Sequence, residues 1–139
     1  MKKIKISITK DNLNFSEIRE IYRETGWVKP DEIFNEKSVE MIVKKSFCFA
    51  CAFSGKKIIG IGRAISDGTS DAYIQDVAVL EPYRNQGIGK KILIEILEFL
   101  KLKKIGWIGL IAEPGSSGFY ENIGFKKMKK HIPMTYDLY

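Results

Sequence analysis

The chain has 139 residues, of which 45% are hydrophobic and 29% are charged, and it carries a formal net charge of +6 at pH 7. That composition excludes a disordered or fibrous protein, and a chain of this length can bury about two thirds of its unfolded surface without a disulfide or a structural metal. The lysines are spread along the sequence, so no block is typical of a nucleic-acid-binding arm. We expect a single domain over residues 1–139.

The amino terminus and the most hydrophobic run indicate where the protein resides. Met1 to Lys10 alternates lysine with isoleucine and lacks the continuous apolar core of a signal peptide. No window reaches the ~20 apolar residues that a membrane-spanning helix needs, because Glu95 and Glu98 interrupt the longest apolar run. We therefore expect a cytoplasmic protein that has no membrane partner.

The first third of the chain predicts a strand and two helices. The segment KIKISIT, residues 3–9, alternates with period two, as a strand does. From Asn14 to Thr25 the apolar residues recur every three or four positions, which indicates an amphipathic helix that Gly26 closes. A second helix is predicted over residues 35–45.

Two strands, SFCFACAF and IIGIGRAIS, follow with a short turn between them and predict a hairpin. The first carries Cys48 and Cys51, and an odd separation in a strand sends two side chains to opposite faces, which opposes a disulfide or a shared metal. The sequence has no second cysteine pair and no clustered histidines to complete a zinc site. We predict two buried thiols and no metal.

The second half predicts strands and helices in alternation. AYIQDVAVL is apolar on both faces and indicates a central strand, and Ile88 to Leu102 follows as a helix with a broad apolar face. WIGLIA is predicted to be a buried strand, PGSSGFYENIG a short helix that ends at Gly124, and PMTYDLY a last strand. This order predicts an α/β or α+β protein built around a mixed sheet.

The turn EPYRNQGIGKK, residues 81–91, lies between the central strand and the long helix. Glycines at a helix amino terminus expose backbone N–H groups without a Cβ to block approach, and the helix end carries partial positive charge, so such a turn can bind phosphate. A Walker A loop is excluded, because Arg84 and Lys91 stand where a glycine and a hydroxyl residue are required. A dinucleotide fingerprint is excluded, because Ile92 stands where its third glycine belongs.

The remaining pattern, Arg84-x-x-Gly87-x-Gly89, resembles the pyrophosphate loop [Q/R]-x-x-G-x-[G/A] of the GNAT superfamily of acyl-CoA-dependent N-acyltransferases. YIQDVAV before it and GFYENIGFKKM after it resemble the family's central strand and its F-Y-x-x-x-G-F element. ETGW and GRAISDG are similar to features of small single-domain bacterial members. The resemblance implies a mixed, mostly antiparallel sheet of six to seven strands with about four helices on both faces.

The resemblance also implies how acetyl-CoA is bound as the acyl donor. In the family, the central strand and the next parallel strand splay apart, so that Val77, Ala78 and Val79 would offer main-chain groups to the pantetheine arm while their side chains pack in the core. The alternative for Arg84 and Lys90 is a solvated basic rim. The residues that would hold the diphosphate are Arg84, Asn85, Gln86, Gly87, Ile88, Gly89 and Lys90.

Tyr120 matches the family tyrosine that acts as general acid to the leaving thiolate. A phenol is a weaker acid than a thiol by about 1.5 pKa units, so complete transfer is uphill by roughly 2 kcal/mol unless the pKa of Tyr120 is lowered. Hydrogen bonding to the thiolate is the alternative. Ser116 or Ser117 is expected to cap the short helix, or to offer a hydroxyl to pantetheine.

An alkyl amine is about 1000:1 protonated at neutral pH, so a group must accept its proton. Asp76 and Glu113 are the two carboxylates that could serve, directly or through water, and a structural hydrogen-bonding role is the alternative for Asp76. Strand alternation predicts that Gln75 and Asp76 lie on opposite faces, so at most one lines the amine pocket. Trp27 and Phe34, between the first two helices, are predicted to form an apolar wall for the amine or to pack under the sheet.

The expected activity is transfer of an acetyl group to a primary amine of a small molecule or a peptide, in a ternary complex. The alternative is a non-catalytic acyl-CoA-binding or regulatory module, against which the retained tyrosine argues. A nucleic-acid partner is not expected, since KKMKK, residues 126–130, is typical of a solvated edge without interleaved stacking aromatics. Dimers are common in the family, so a homodimer is an expectation that the resemblance brings.

Overall fold

The structure, a computed structural model, describes residues 2–29 and 32–138. Its backbone contacts divide the chain into two compact units, Met1–Gly109 and Leu110–Tyr139. In the described residues the first unit holds every strand and the three longer helices, and the second holds one short helix. No helix in this part of the chain is long and apolar enough to cross a membrane.

The first two helices begin and end at residues whose chemistry favours those positions. Helix α1, Phe15–Thr25, begins after Asn14, whose side chain accepts from the Glu17 N–H, and ends at Gly26, whose φ of +79° suits glycine. Helix α2, Glu36–Lys45, begins with a capping box in which Asn35 and Ser38 bond each other's backbone N–H groups. The predicted bounds of both helices are confirmed to within one residue.

Five strands form one sheet in the order β1-β2-β3-β4-β5. The first four pair antiparallel in sequence order, and β4 pairs with β5 in parallel. The expectation of a mixed, mostly antiparallel sheet is therefore confirmed. The strands are β1, Ile4–Ile8; β2, Cys48–Ser54; β3, Lys57–Ser66; β4, Asp71–Val79; and β5, Trp107–Gly109.

The prediction of six to seven strands is wrong for the described residues. The strand expected at WIGLIA is only three residues long, Trp107–Gly109. Residues 133–138 of the expected last strand are not in a strand, and Tyr139 lies outside the described residues. Alternating apolar residues form a strand only where a neighbouring strand and a buried face are available. In this segment Met134, Tyr136 and Leu138 are all largely exposed, so the pattern has no face to bury.

Helices cover both faces of the sheet. Helix α3, Ile88–Leu102, packs so closely on one face that a Cβ at Gly62 of β3 would lie 2.7 Å from Ile92 Cγ2 and 2.9 Å from Ile96 Cδ1. The next residue, Arg63, points to the opposite face, where α1 packs on β3. The largest fully buried side chains are Phe49, Ile18, Ile21, Ile58, Ile59, Ile61, Ile92, Leu93, Ile96, Leu100, Val39 and Val43.

Both cysteines of β2 lie in this core. Cys48 and Cys51 are free and buried, and burial raises the pKa of each thiol to about 12. The prediction that both are buried thiols is confirmed, and at neutral pH each remains protonated and apolar in behaviour.

Candidate active site

The turn after β4 presents backbone N–H groups at the head of α3. A 3₁₀ helix, Glu81–Tyr83, leads into two left-handed residues, Asn85 with φ of +62° and Gly87 with φ of +79°. The first helical bond runs from the Lys91 N–H to the Gly87 carbonyl, 3.1 Å away. No hydrogen bond within the described residues is donated by the N–H groups of residues 87–90. Together with the helix dipole, these groups form an anion-binding geometry.

Gly87 keeps this geometry open. Its φ is positive, and within the described part of the chain no side chain caps the helix and no atom beyond the two neighbouring residues lies within 4 Å of a Cβ built at this position. Asparagine is among the few other residues that tolerate the left-handed region, which accounts for Asn85 two positions earlier. The backbone of the turn is thus accessible from solvent.

Arg84 is held by two acceptors rather than extending freely into solvent. Its Nε donates to the Val79 carbonyl at 2.8 Å, and its Nη2 donates to Glu24 Oε1 at 3.1 Å. The same Glu24 oxygen accepts from the Glu81 N–H at 2.7 Å. Glu24, in the last turn of α1, therefore ties that helix to the turn. The sequence assigns Glu24 no role beyond its place in ETGW, because nothing in it pairs positions 24 and 84.

The carboxyl half of β4 has one edge without a strand partner among the described residues of the first unit. Pairing of β4 with β5 covers only Asp71, Ala72 and Tyr73, while pairing with β3 continues to Val79. Within the described residues of the first unit, residues 74–79 have no strand on the β5 side. Main-chain groups of Val77, Ala78 and Val79 lie on this stretch, although Val79 already accepts from Arg84 through its carbonyl.

Strand β4 contains a bulge at Asp76. Arg63 pairs with Gln75 and Ile61 pairs with Ala78, so Asp76 and Val77 together stand opposite Gly62. Asp76 has φ of +58°, in the left-handed region. An extra residue of this kind breaks the alternation of side chains along a strand.

The bulge brings Gln75 and Asp76 to the same guanidinium. Arg63 Nε donates to Asp76 Oδ2 at 2.6 Å and Arg63 Nη2 donates to Gln75 Oε1 at 3.2 Å. The prediction that these two side chains lie on opposite faces is therefore wrong, because simple alternation fails where a strand bulges.

Asp76 is the centre of a polar cluster that joins α1, β3 and β4 to Ser46, the residue that follows α2. Its Oδ2 also accepts from the Tyr22 hydroxyl of α1 at 2.8 Å, and Arg63 Nη1 donates to the Ser46 hydroxyl at 3.4 Å. Burial, and then the negative charge of Asp76, raise the pKa of the Tyr22 phenol well above its ordinary value. The sequence does not reveal Tyr22 and Arg63 as polar partners, since Tyr22 lies at one of the apolar positions that recur along α1.

Two predicted substrate residues surround the ring of Tyr22. Trp27 and Phe34 lie edge-on to it, with ring centroids 6.4 and 5.3 Å away. Trp27 is 40% exposed, so it is not tucked under the sheet. The connecting residues 30 and 31 lie outside the described residues. Trp27, Phe34, Gln75 and Asp76 are thus gathered around Tyr22 and Arg63.

The second unit contains Tyr120, on helix α4, Ser117–Glu121. Its ring lies edge-on to Phe119 and Phe125, at centroid distances of 5.0 and 5.9 Å. Burial, followed by the negative charge of Glu113, raises the pKa of the Tyr120 phenol. The hydroxyl therefore stays protonated at neutral pH and is available as a hydrogen-bond donor.

Ser116 occupies the position before α4 but does not cap it in the expected way. Its hydroxyl donates to the Glu113 carbonyl at 2.7 Å, and no side-chain bond reaches the first N–H groups of the helix. The capping prediction for Ser116 is wrong, because a preceding turn offers the hydroxyl a nearer acceptor.

Comparison with known proteins relates the chain to a family. Residues 18–135 match a family model described as an acetyltransferase (GNAT) domain. The chain is 32% identical over 120 residues to the uncharacterized N-acetyltransferase ycf52 of Pyropia yezoensis, a match that covers 84% of this chain and 67% of that protein. It spans between 62 and 72% of the length of three such ycf52 proteins.

Solved structures show the same fold. A GNAT family acetyltransferase from Streptococcus pneumoniae TIGR4 is 26% identical with a TM-score of 0.81, covering 97% of this chain and 98% of that one. A probable acetyltransferase from meticillin-resistant Staphylococcus aureus is 21% identical with a TM-score of 0.80, covering 99 and 100%. The family match over most of the sequence shows that this chain belongs to the GNAT superfamily of N-acetyltransferases.

Proposed function

We propose that this protein transfers an acetyl group from acetyl-CoA to a primary amine of a small molecule or a peptide, by direct attack in a ternary complex. The observation that carries the proposal is the set of N–H groups at the head of α3 that donate no hydrogen bond within the described residues, directly after a strand whose edge beyond Tyr73 has no strand partner among them. A diphosphate bound by residues 84–90 would leave the pantetheine arm to run along Val77–Val79, as an additional strand would.

Charge at the turn supports this assignment for the donor. Lys90 is exposed in the first turn of α3, and Arg84 lies three residues before Gly87. Arg84 is half exposed and its partner Glu24 is about a third exposed, so the ion pair is weak enough for Arg84 to exchange toward a phosphate. The acyl donor, acetyl-CoA, carries a diphosphate and one further phosphate, and a basic protein surface attracts these negative charges.

The reaction requires an acceptor for the ammonium proton and a group that stabilises the departing thiolate. The ammonium form of the substrate gives one proton to Asp76, directly or through water. The neutral nitrogen then attacks the thioester carbon, the C–S bond breaks with its electron pair on sulfur, and the new amide nitrogen releases its second proton to solvent. Oδ2 of Asp76 is engaged by Tyr22 and Arg63, while Oδ1 accepts no hydrogen bond from the described residues. Glu113 is the second carboxylate that could accept the proton.

We assign the stabilisation of the departing thiolate to Tyr120. Because burial and Glu113 raise its pKa, the phenol is a poor source of a complete proton but a persistent hydrogen-bond donor. Hydrogen-bond donation to the developing thiolate is the role that agrees with this environment.

The test is release of free CoA thiol from acetyl-CoA in the presence of a panel of primary amines. We expect amine-dependent release, and a rate that falls about a hundredfold in Tyr120→Phe, the usual cost of removing one hydrogen-bond donor to a developing negative charge. Tyr136→Phe is the matched control, because Tyr136 is 86% exposed. Equal rates in both variants would remove Tyr120 from the chemistry. Tight CoA binding without product from any amine would favour a non-catalytic acyl-CoA-binding module.

Domain organisation, location and assembly belong to the same proposal. We propose that residues 1–139 act as one domain, a view supported by a family match that runs from residue 18 to residue 135. A cytoplasmic location and a homodimer stay predictions, to be checked by fractionation and by light scattering.

A further inference from the structure

The bulge at Asp76 changes which side chains of β4 enter the core. Ala72 and Ile74 are buried on one face, and strict alternation would place position 76 next on that face. Instead Val77 lies there, since its Cγ2 is 3.5 Å from a Cβ built at Gly62, close to Ile92 and Ile96. The extra residue thus keeps a carboxylate out of an apolar core, where burial without a partner is strongly unfavourable.

Holding the bulge requires interactions beyond β4 itself. A residue other than glycine is disfavoured in the left-handed region, although aspartate and asparagine tolerate it better than most. Asp76 is held there by donors from two other elements, the Tyr22 hydroxyl of α1 and Nε of Arg63 on β3. Tyr22 is 4% exposed, and the side chain of Arg63 is 15% exposed, so both donors are themselves fixed by packing.

We propose that Tyr22 and Arg63 are positioning residues that hold the β4 bulge at Asp76. They thereby determine the direction in which the backbone N–H and C=O groups of Val77–Val79 point toward the pantetheine arm of CoA. The proposal rests on the proposed function, since it takes CoA as the ligand. Its physical basis is that a shift of one residue along a strand turns every following side chain and backbone group to the other side. Loss of the bulge would misdirect residues 77–79, which follow it directly in β4, whereas Glu24 of α1 holds the diphosphate turn in place through the Glu81 N–H and Arg84.

The test separates the two halves of the ligand. Calorimetry measures the Kd of CoA and of adenosine 3′-phosphate 5′-diphosphate, which lacks pantetheine, for the full chain and for Arg63→Gln and Tyr22→Phe. We expect each variant to weaken CoA by about tenfold, the loss of one or two hydrogen bonds. The fragment's affinity should stay within about twofold of wild type, because it contacts only the turn.

Matched variants control for general damage. Arg19→Gln changes an arginine of α1 that makes no side-chain hydrogen bond or ion pair to another described residue. Tyr73→Phe removes a tyrosine hydroxyl of β4 that likewise bonds no other described residue, and Tyr73 is about half exposed. Both should bind both ligands as wild type does. Asp76→Asn keeps an acceptor oxygen and tolerates the left-handed region, so it should retain most CoA affinity, whereas Asp76→Ala should lose it.

The outcomes distinguish this proposal from the proposed function. A wild-type chain that binds neither ligand contradicts the proposed function. If wild type binds CoA, then unchanged CoA affinity in Tyr22→Phe and Arg63→Gln, or an equal loss for both ligands, overturns the positioning role. Should Arg63→Gln fail to fold, Tyr22→Phe decides, because it keeps the ring. Without ligand, the amide NMR chemical shifts of Val77–Val79 should differ from wild type in Tyr22→Phe and Arg63→Gln and not in the control variants. Unchanged chemical shifts in the first two variants would also overturn the positioning role.

Discussion

Nε of Arg63 lies 2.6 Å from Oδ2 of Asp76, and the two side chains are only 15 and 20% exposed. Removing one partner from such a pair leaves a charge with little water to solvate it, which destabilises more than the pair itself stabilises. The pair also fixes a backbone irregularity in the strand that precedes the phosphate turn, so it links the stability of the sheet to the shape of the site.

Arg63→Ala should lower the free energy of unfolding by about 3 kcal/mol, because Asp76 is left partly buried without its cation. Urea unfolding followed by circular dichroism measures it. Lys127→Ala is the control, since Lys127 pairs with Glu121 at 3.7 Å with both side chains well exposed and should cost less than about 1 kcal/mol. Equal losses in the two variants would contradict the account of the cluster.

Gly87→Ala should cost about 1 kcal/mol of stability, because alanine is disfavoured at a φ of +79° even though the space around Gly87 is open. CoA binding should weaken as well, since the turn relaxes away from the geometry that exposes its N–H groups. Gly118→Ala is the matched control, because Gly118 lies in α4 without a positive φ and also has open space around it. It should be neutral or slightly stabilising. Unfolding midpoints and calorimetric Kd values check both.

The Tyr120 phenol should ionise at higher pH than an exposed tyrosine. Burial and the charge of Glu113 raise its pKa in the folded chain. The stability that this raised pKa contributes is fully present below the unfolded-state pKa of about 10 and is lost as the pH rises through the folded value. Ultraviolet titration of the phenolates, compared with Tyr120→Phe, isolates the group. Glu113→Gln should move its ionisation to lower pH; an unmoved titration would contradict the electrostatic part of this explanation.

Cys48 and Cys51 should resist alkylation at neutral pH in the folded chain. Burial raises both thiol pKa values to about 12, so reagents meet neither an accessible sulfur nor a thiolate. Mass spectrometry after iodoacetamide treatment should show no labelled native protein and two labels after denaturation. Rapid native labelling at either position would mean that β2 opens readily.

The sequence predicted the elements whose ends carry local signals. Asn14, Gly26 and Asn35 are capping residues, and α3 was predicted over Ile88–Leu102, as observed, because its glycine turn and apolar pattern are both local. The bulge could not be predicted in the same way. In β4 the side chains on the buried face are at even positions up to Ile74 and continue at Val77. This change can be recognised in the sequence only when the buried face is already known.

Contacts between distant elements account for the rest of what was missed. Tyr22 and Asp76 are 54 residues apart, and Glu24 and Arg84 are 60 apart. Nothing in one sequence relates such positions, so the polar cluster and the α1 tether emerged only from the folded geometry. The expected last strand failed for a similar reason, because alternation alone does not supply a strand partner.

A crystal structure with bound CoA tests the central claim most directly. The account predicts diphosphate oxygens within about 3 Å of backbone N–H groups in residues 87–90, with the pantetheine arm along Val77–Val79. A diphosphate bound elsewhere, with water against those N–H groups, would contradict it.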